Sequence, residues 1–119
     1  MRFCWCTIKT KEMEKSREFY GGFLGMRAER SSSPAPGTEI VFFSDENRME
    51  VELISKEEIP EWQGECPVTI GFRTDGFDRL LDESREKGIL DLGPVRMGKD
   101  MECFFIHDPN GVKLQIIRD

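Results

Sequence analysis

The chain of 119 residues has the length of one domain, and its 38% hydrophobic and 34% charged residues are typical of a globular protein with a well-solvated surface. The net charge of -6, with Lys and Arg scattered among Asp and Glu, argues against nucleic acid as a partner, because phosphate binding requires clustered positive charge. No apolar run approaches the ~18 residues of a membrane span, and the first residues have a strand pattern without the apolar core of a signal peptide. We therefore expect a cytoplasmic protein that binds neither membrane nor nucleic acid, and whose acidity mildly favours a neutral or cationic ligand.

The first half of the chain begins with an alternating strand pattern and continues with an amphipathic helix. Apolar residues recur at helical spacing after the strand, and Gly25 suits a left-handed helix end. The Ser-, Pro- and Gly-rich residues 31–37 predict a loop without regular structure. The predicted elements are a strand at 3–9, a helix at 12–24, and a hairpin of strands at 38–44 and 48–54.

The second half repeats this order after a linker at 56–66. Gly88 ends the second helix, and Asp-Pro-Asn-Gly at 108–111 predicts a tight turn. Trp62 in the linker is expected to pack on a sheet edge, with a lid over a cleft as the alternative. The predicted elements are a strand at 68–74, a helix at 77–87, and strands at 89–95, 101–106 and 112–117.

An internal repeat supports this division into two modules, 1–55 and 67–119. FFSDENRMEVELI at 42–54 matches FFIHDPNGVKLQII at 104–117, and each copy has one polar residue inside its last strand, Glu52 or Gln115. A repeat of this size indicates a duplicated supersecondary unit, and it favours a functional site between the copies.

The four cysteines, Cys4, Cys6, Cys66 and Cys103, are expected to be reduced and mostly buried. The C-x-C pair at the N-terminus has no His or second Cys pair to complete a zinc site. Cys103 shares strand parity with Phe105, so it is expected on the same sheet face.

Four segments resemble the vicinal-oxygen-chelate superfamily, which includes glyoxalase I, bleomycin-resistance proteins and extradiol dioxygenases. They are EMEKSREFYGGFLGM at 12–26, VELI at 51–54, GFRTD at 71–75 and DPNGVKLQII at 108–117. The resemblance implies an α+β fold in which two βαβββ modules form a half-open barrel around a cleft. The fold class alone does not decide the function, because it carries lyases, dioxygenases and binding proteins.

The resemblance also places the metal ligands of metal-dependent members at Trp5, Glu52, Thr69 and Gln115. Only Glu52 among them is a strong ligand for a divalent ion, and the single histidine, His107, lies outside the matching pattern. We therefore expect neither a metal nor another cofactor in this cleft.

A small-molecule pocket is the interpretation that these residues favour. Phe105 matches a position where dioxygenase members have a catalytic Tyr, and Phe lacks the hydroxyl needed for acid–base chemistry. By the repeat, Phe43 is taken as its partner. Trp5, Phe43 and Phe105 would then be apolar walls, with Glu52, Thr69 and Gln115 as polar groups, although aromatic residues on sheets also commonly fill a core.

Three functions follow from this reading. The first is a metal-free binding protein that holds a hydrophobic or cationic compound by stacking and cation–π attraction. The second is an enzyme: a glyoxalase-like lyase, isomerase or dioxygenase with an atypical or degenerate metal site, or with Glu52 as a general base. The third is a protein-interaction module. We also expect a homodimer, because half-barrel modules leave open sheet edges.

Overall fold

Two compact units make up the structure, a computed structural model that describes residues 1–60 and 63–119. The first unit ends at residue 61 and the second begins at residue 62. Each unit is a four-stranded mixed sheet with a helical segment, so the predicted α+β class with two βαβββ modules is confirmed. Trp62, expected on a sheet edge or over a cleft, lies outside the described residues.

Unit one orders its strands β1-β4-β3-β2, with β1 parallel to β4 and the other neighbours antiparallel. Only a parallel pair needs a long crossover, and the helical segment between β1 and β2 lies within that crossover. The elements are β1 Trp5–Lys9, α1 Met13–Arg17, a π-helical segment Glu18–Phe23, β2 Arg27–Ala35, β3 Thr38–Ser44 and β4 Glu50–Ser55.

Unit two repeats the same topology with the order β5-β8-β7-β6. Its helix α2 ends at Gly88 in the left-handed conformation, with φ of 68°. The elements are β5 Thr69–Thr74, α2 Phe77–Lys87, β6 Leu90–Met97, β7 Met101–His107 and β8 Lys113–Arg118.

The predicted loop at 31–37 is wrong, because most of it belongs to strand β2. This strand is the sheet edge and pairs only with β3, and all its residues are exposed. An edge strand tolerates Pro34, since one side of its backbone needs no ladder hydrogen bond. The register shifts between Ser32 and Ala35, and Gly37 at φ of 77° makes the following turn.

The first helix has the predicted extent but changes its hydrogen bonding halfway. Leu24 N donates to Phe19 O at 2.9 Å, which is the i to i−5 bond of a π-helix. Gly25 follows at φ of 74° and confirms the left-handed end. Among the described helices, none is both long and apolar enough to cross a bilayer.

The core of unit one lies between the helical segment and one face of the sheet. Phe43 is only 4% exposed, and a β-carbon at Gly21 would lie 2.8 Å from its Cε1 atom. Alternation along each strand places the following buried residues on the same face: Ile8, Val41, Phe43, Val51 and Leu53. They meet Met13, Phe19, Tyr20 and Phe23, which are buried on the helical segment.

Unit two has an equivalent core on α2. The rings of Phe77 and Phe104 meet edge to face with centroids 4.9 Å apart. Ile106, Leu114 and Ile116 are fully buried on the same sheet face.

One arginine links the last strand of unit two to its helix and to a neighbouring strand. Arg118 lies over the Phe77 ring, with Cζ 4.2 Å from the centroid. Its guanidinium donates to Asp78 at 2.9 Å and to Glu102 at 2.7 Å. These hydrogen bonds from Arg118 hold the pKa of both carboxyl groups below their ordinary values.

Gly21→Ala should destabilise unit one by roughly 1–3 kcal/mol, because the added methyl group meets the buried Phe43 ring. Gly22→Ala is the matched control. Its methyl group meets only the carboxylate of Glu18, the end of an exposed flexible side chain, so the change should cost little. Combining Gly21→Ala with Phe43→Leu should recover part of the loss in chemical denaturation. Equal stability of the two alanine variants would contradict this placement of Phe43.

Arg118→Gln should remove part of the acid sensitivity of the protein. Carboxyl groups with a lowered folded-state pKa stabilise the fold above their unfolded pKa of about 4, and this contribution is lost as the pH falls through the folded value. The difference in melting temperature between wild type and variant should therefore be larger at pH 7 than near pH 3. Arg85→Gln, which removes an exposed pair with Asp82 on the same helix, should change little at either pH. A pH-independent difference for Arg118→Gln would refute the assignment.

Candidate functional site

The far face of unit one is the sheet face opposite the helical segment. Register places Trp5 beside Glu50, Thr7 beside Glu52, and Phe42 on the other side of Glu52. Residues that pair directly across strands point to the same face, so these five side chains share it.

Phe43 does not belong to this face, and its assignment as a wall beside Glu52 is wrong. It pairs with Val51 and is buried against Gly21, on the helix side. Phe42 takes its place, since successive side chains on a strand alternate between faces. The sequence contained the signal: Phe42 lies ten residues before Glu52, as Phe105 lies ten before Gln115.

Aromatic and charged groups are layered on the far face of unit one. The Trp5 and Phe42 rings meet edge to face at 5.5 Å, and the Arg30 guanidinium lies 3.8 Å from the Phe42 centroid. Arg30 Nη1 also donates to Glu50 Oε2 at 2.6 Å. Phe42 is consequently only 9% exposed, whereas Trp5 remains 46% exposed. Trp5 is thus the accessible aromatic surface of this layer.

Glu52 differs from its neighbour Glu50 because no cation pairs with it. Its Oε1 accepts a hydrogen bond from Thr7 Oγ1 at 2.6 Å. Lys9, the next residue of β1 on this face, forms no ion pair with it, and within residues 1–60 and 63–119 neither does any other Lys or Arg. The carboxylate therefore keeps its charge available to an incoming group.

The far face of unit two carries the other predicted site residues. Phe105 pairs directly with Gln115, and Gly71 pairs with Gln115 from the opposite side. Thr69 lies on the same face, one pair away, and is exposed. Gln115 Nε2 points at sulfur atoms, the nearest being Cys103 Sγ at 3.3 Å. Gln115, which is equivalent to Glu52 in the repeat, thus has a sulfur-rich environment.

The remaining predicted residues are placed less centrally. His107 Nδ1 lies 2.9 Å from Asp91 Oδ1 in a half-exposed pair. Cys103 is buried and shares the face of Phe105, as its parity predicted. The expectation of mostly buried cysteines is wrong, because Cys4 is exposed ahead of the first strand and Cys6 and Cys66 are only partly buried.

Sequence reasoning missed two contributors to these faces. Thr7 was recognisable as a neighbour of Trp5 on one strand face, and its register with Glu52 follows only from the sheet. Arg30 lies on edge strand β2, just before the predicted loop.

The turn between β2 and β3 borders a surface depression of about 590 Å³. The one charged residue that lines it, Glu39, pairs with Arg17. That depression is lined by neither Trp5, Phe42 nor Glu52.

The side chains at the four family metal positions do not fit a divalent ion. Trp5 packs edge to face against Phe42 and offers no metal-ligating atom, and Glu52 is the one carboxylate among the four. The Gln115 amide is directed at sulfur atoms. In the described part of the chain, no group of three or more His, Cys, Asp or Glu side chains is placed to hold a metal ion. This donor set supports no metal-assisted step.

The chain belongs to the Glyoxalase/Bleomycin resistance protein/Dioxygenase superfamily, whose family model matches residues 2–116. No curated protein sequence is a detectable relative.

Solved structures share the fold at low sequence identity. A glyoxalase/dioxygenase from Nostoc punctiforme is 22% identical with a TM-score of 0.78, covering 99% of this chain and 90% of that one. A glyoxalase I mutant from Zea mays is 20% identical with a TM-score of 0.81, covering 98% of this chain and 44% of that one. The fosfomycin resistance protein FosX from Listeria monocytogenes is 12% identical with a TM-score of 0.74, covering 98% and 88%. At these identities the likeness establishes the fold.

Protein purified without added metal should contain well under one equivalent of zinc, nickel, iron or manganese. One carboxylate with a neutral amide binds such ions too weakly to retain them through purification. Elemental analysis by mass spectrometry measures the content, and a thermal-shift titration with each divalent ion checks for weaker binding. Stoichiometric metal that disappears in Glu52→Gln would contradict this expectation.

Proposed function

We propose that this protein is a metal-free, small-molecule-binding member of its superfamily, with a preference for a hydrophobic or cationic ligand. The observation that carries the proposal is that one sheet face carries both an exposed indole, Trp5, and a carboxylate, Glu52, that has no cationic partner in the described chain. A planar cation would stack on the indole and place its charge near the carboxylate.

The layered arrangement beneath Trp5 supports this role. Phe42 contacts the indole edge to face, Arg30 lies over the Phe42 ring, and Arg30 is itself fixed by Glu50. A prearranged aromatic surface loses less conformational freedom on binding than a flexible one. Phe105, Gln115 and Thr69 of unit two are proposed to take part in binding as well.

A catalytic alternative uses the same carboxylate. Thr7 orients Glu52 through Oε1, and Oε2 accepts no side-chain hydrogen bond within the described residues. An oriented carboxylate with one free oxygen is the arrangement of a general base, and a metal-free isomerase would use it in this way. Turnover of a bound ligand, lost in Glu52→Gln while binding persists, would favour the enzyme over the binding protein.

Glu52→Gln should weaken binding of planar aromatic cations by roughly 1–3 kcal/mol and leave fold stability almost unchanged. N-alkylated pyridinium and acridinium compounds are suitable probes, each compared with its uncharged isostere. The chain has two tryptophans, so Trp62→Phe leaves Trp5 as the single indole reporter for fluorescence titration.

Glu46→Gln removes the same charge at an exposed position outside the far face and is the matched control. It should leave the affinity within about twofold of the wild type. An equal loss of affinity in both variants would show that only the net charge of the protein matters. An unchanged affinity in Glu52→Gln would show that Glu52 is not part of the binding site.

We also propose that two copies of the chain associate. Strand β1 is a sheet edge, and Phe3 and Trp5 are exposed on or beside it. An exposed edge with apolar side chains favours pairing with a second strand. Light scattering at micromolar concentration should give twice the mass of 13.8 kDa. A monomeric mass would contradict the homodimer.

A further inference from the structure

A cluster of three sulfur side chains lies at the end of the β6–β7 hairpin. The residues follow the pattern Met-x3-Met-x-Cys, at Met97, Met101 and Cys103. Met97 and Met101 are direct partners across the hairpin, and Cys103 is two residues further along β7. Cross-strand partners and residues two apart share a face, so the three side chains lie together on the far face of unit two.

The three sulfur atoms converge on one point. Gln115 Nε2 lies 3.3 Å from Cys103 Sγ, 3.6 Å from Met101 Sδ and 3.8 Å from Met97 Sδ. An amide nitrogen surrounded by one thiol and two thioethers marks a small space that all three sulfur atoms already border. Sulfur is a weak hydrogen-bond acceptor, so this arrangement holds the amide only loosely.

Solvent exposure increases across the cluster from Cys103 to Met97. Cys103 is 0% exposed, whereas Met97 is 43% exposed. A thiol beneath thioethers is shielded from bulk oxidants and from larger electrophiles. Met97 is therefore the sulfur donor that solvent, and an incoming small ion, reaches first.

We propose that Met97, Met101 and Cys103 form a binding site for a soft monovalent metal ion, specifically Cu(I). Thiolate and thioether sulfur are the donors that such ions prefer over the oxygen and nitrogen donors favoured by harder ions. On binding, the Cys103 S–H bond breaks, its proton passes to solvent, and a sulfur–copper bond forms without change in oxidation state. The two thioethers complete a three-sulfur set.

Gln115 is the group that moves aside. It is neutral, and its weak hydrogen bonds to sulfur are the only ones it makes to side chains in the described structure. The site differs in all three donors from the four family positions, and it does not depend on the proposed ligand-binding function. The competing interpretation is that two methionines simply cover a buried cysteine.

The test is a copper(I) competition titration of the full chain under anoxic, reducing conditions against the chelator bathocuproine disulfonate. Cys4, Cys6 and Cys66 are thiols elsewhere that also bind copper(I), so all are replaced by Ser in the test protein. The expected result is one equivalent of Cu(I) per chain, with near-ultraviolet absorption from the sulfur–copper bond. Zn(II) under the same conditions should bind more weakly.

Met97→Leu/Met101→Leu conserves volume and should lower the Cu(I) affinity by about tenfold or more. Met26→Leu/Met49→Leu, which removes two thioethers from unit one, should not. Gln115→Leu should bind at least as tightly as the parent, because the amide is displaced and not a ligand. Circular dichroism and melting temperature confirm that each variant is folded.

Equal affinity in Met97→Leu/Met101→Leu and in its parent would overturn the site, because Cys103 alone would then account for the binding. So would loss of binding in Gln115→Leu, or no bound copper in the test protein. Cys103→Ser should abolish binding. Since Cys103 is fully buried, the volume-conserving methionine variant decides if Cys103→Ser fails to fold.

Discussion

The register of two hairpins is the constraint on which both faces of each sheet depend. Asp45 Oδ1 accepts hydrogen bonds from Asn47 N at 2.9 Å and Met49 N at 2.8 Å. In the second copy, Asp108 Oδ1 accepts from Asn110 N and Val112 N, both at 2.8 Å. These matching turns fix where the closing strand starts, and hence which side chains face the helix. A slip of one residue would exchange the buried and far faces along the whole strand.

Duplication has kept this backbone and changed the chemistry that it displays. Equivalent strand pairs present Phe42 with Glu52 in unit one and Phe105 with Gln115 in unit two. The first polar group is a carboxylate beside aromatic rings and a hydroxyl, and the second is an amide among sulfur atoms. Most helix-side positions are apolar in both copies, because they must fill a core, and the charged pair of Arg118 and Glu102 is an exception in unit two. Far-face positions carry no such demand, so their chemistry is free to diverge.

Sequence patterns predicted what depends on local periodicity. The second helix was predicted at its observed bounds, since its apolar spacing and Gly88 are local signals. Strand β2 was missed because an edge strand buries nothing, so its sequence has no alternation. Phe43 was chosen over Phe42 because the two copies were matched at their Phe-Phe pairs, and the second copy, 104–117, is one residue longer than the first, 42–54. The positions of Arg30 and of the sulfur cluster depend on which residues pair across strands, and composition and spacing do not determine these pairs.

Under the proposed function, the surroundings of Glu52 decide which ligands the far face of unit one accepts. A neutral apolar molecule that covers this face removes water from a carboxylate whose remaining partner is the Thr7 hydroxyl. Burying a charge with so little compensation costs several kcal/mol, which offsets much of the gain from stacking on Trp5. A ligand with a cationic group replaces the lost water with an opposite charge. Under the proposed function, the same residue therefore attracts cations and disfavours their uncharged isosteres, and specificity arises from desolvation as much as from attraction.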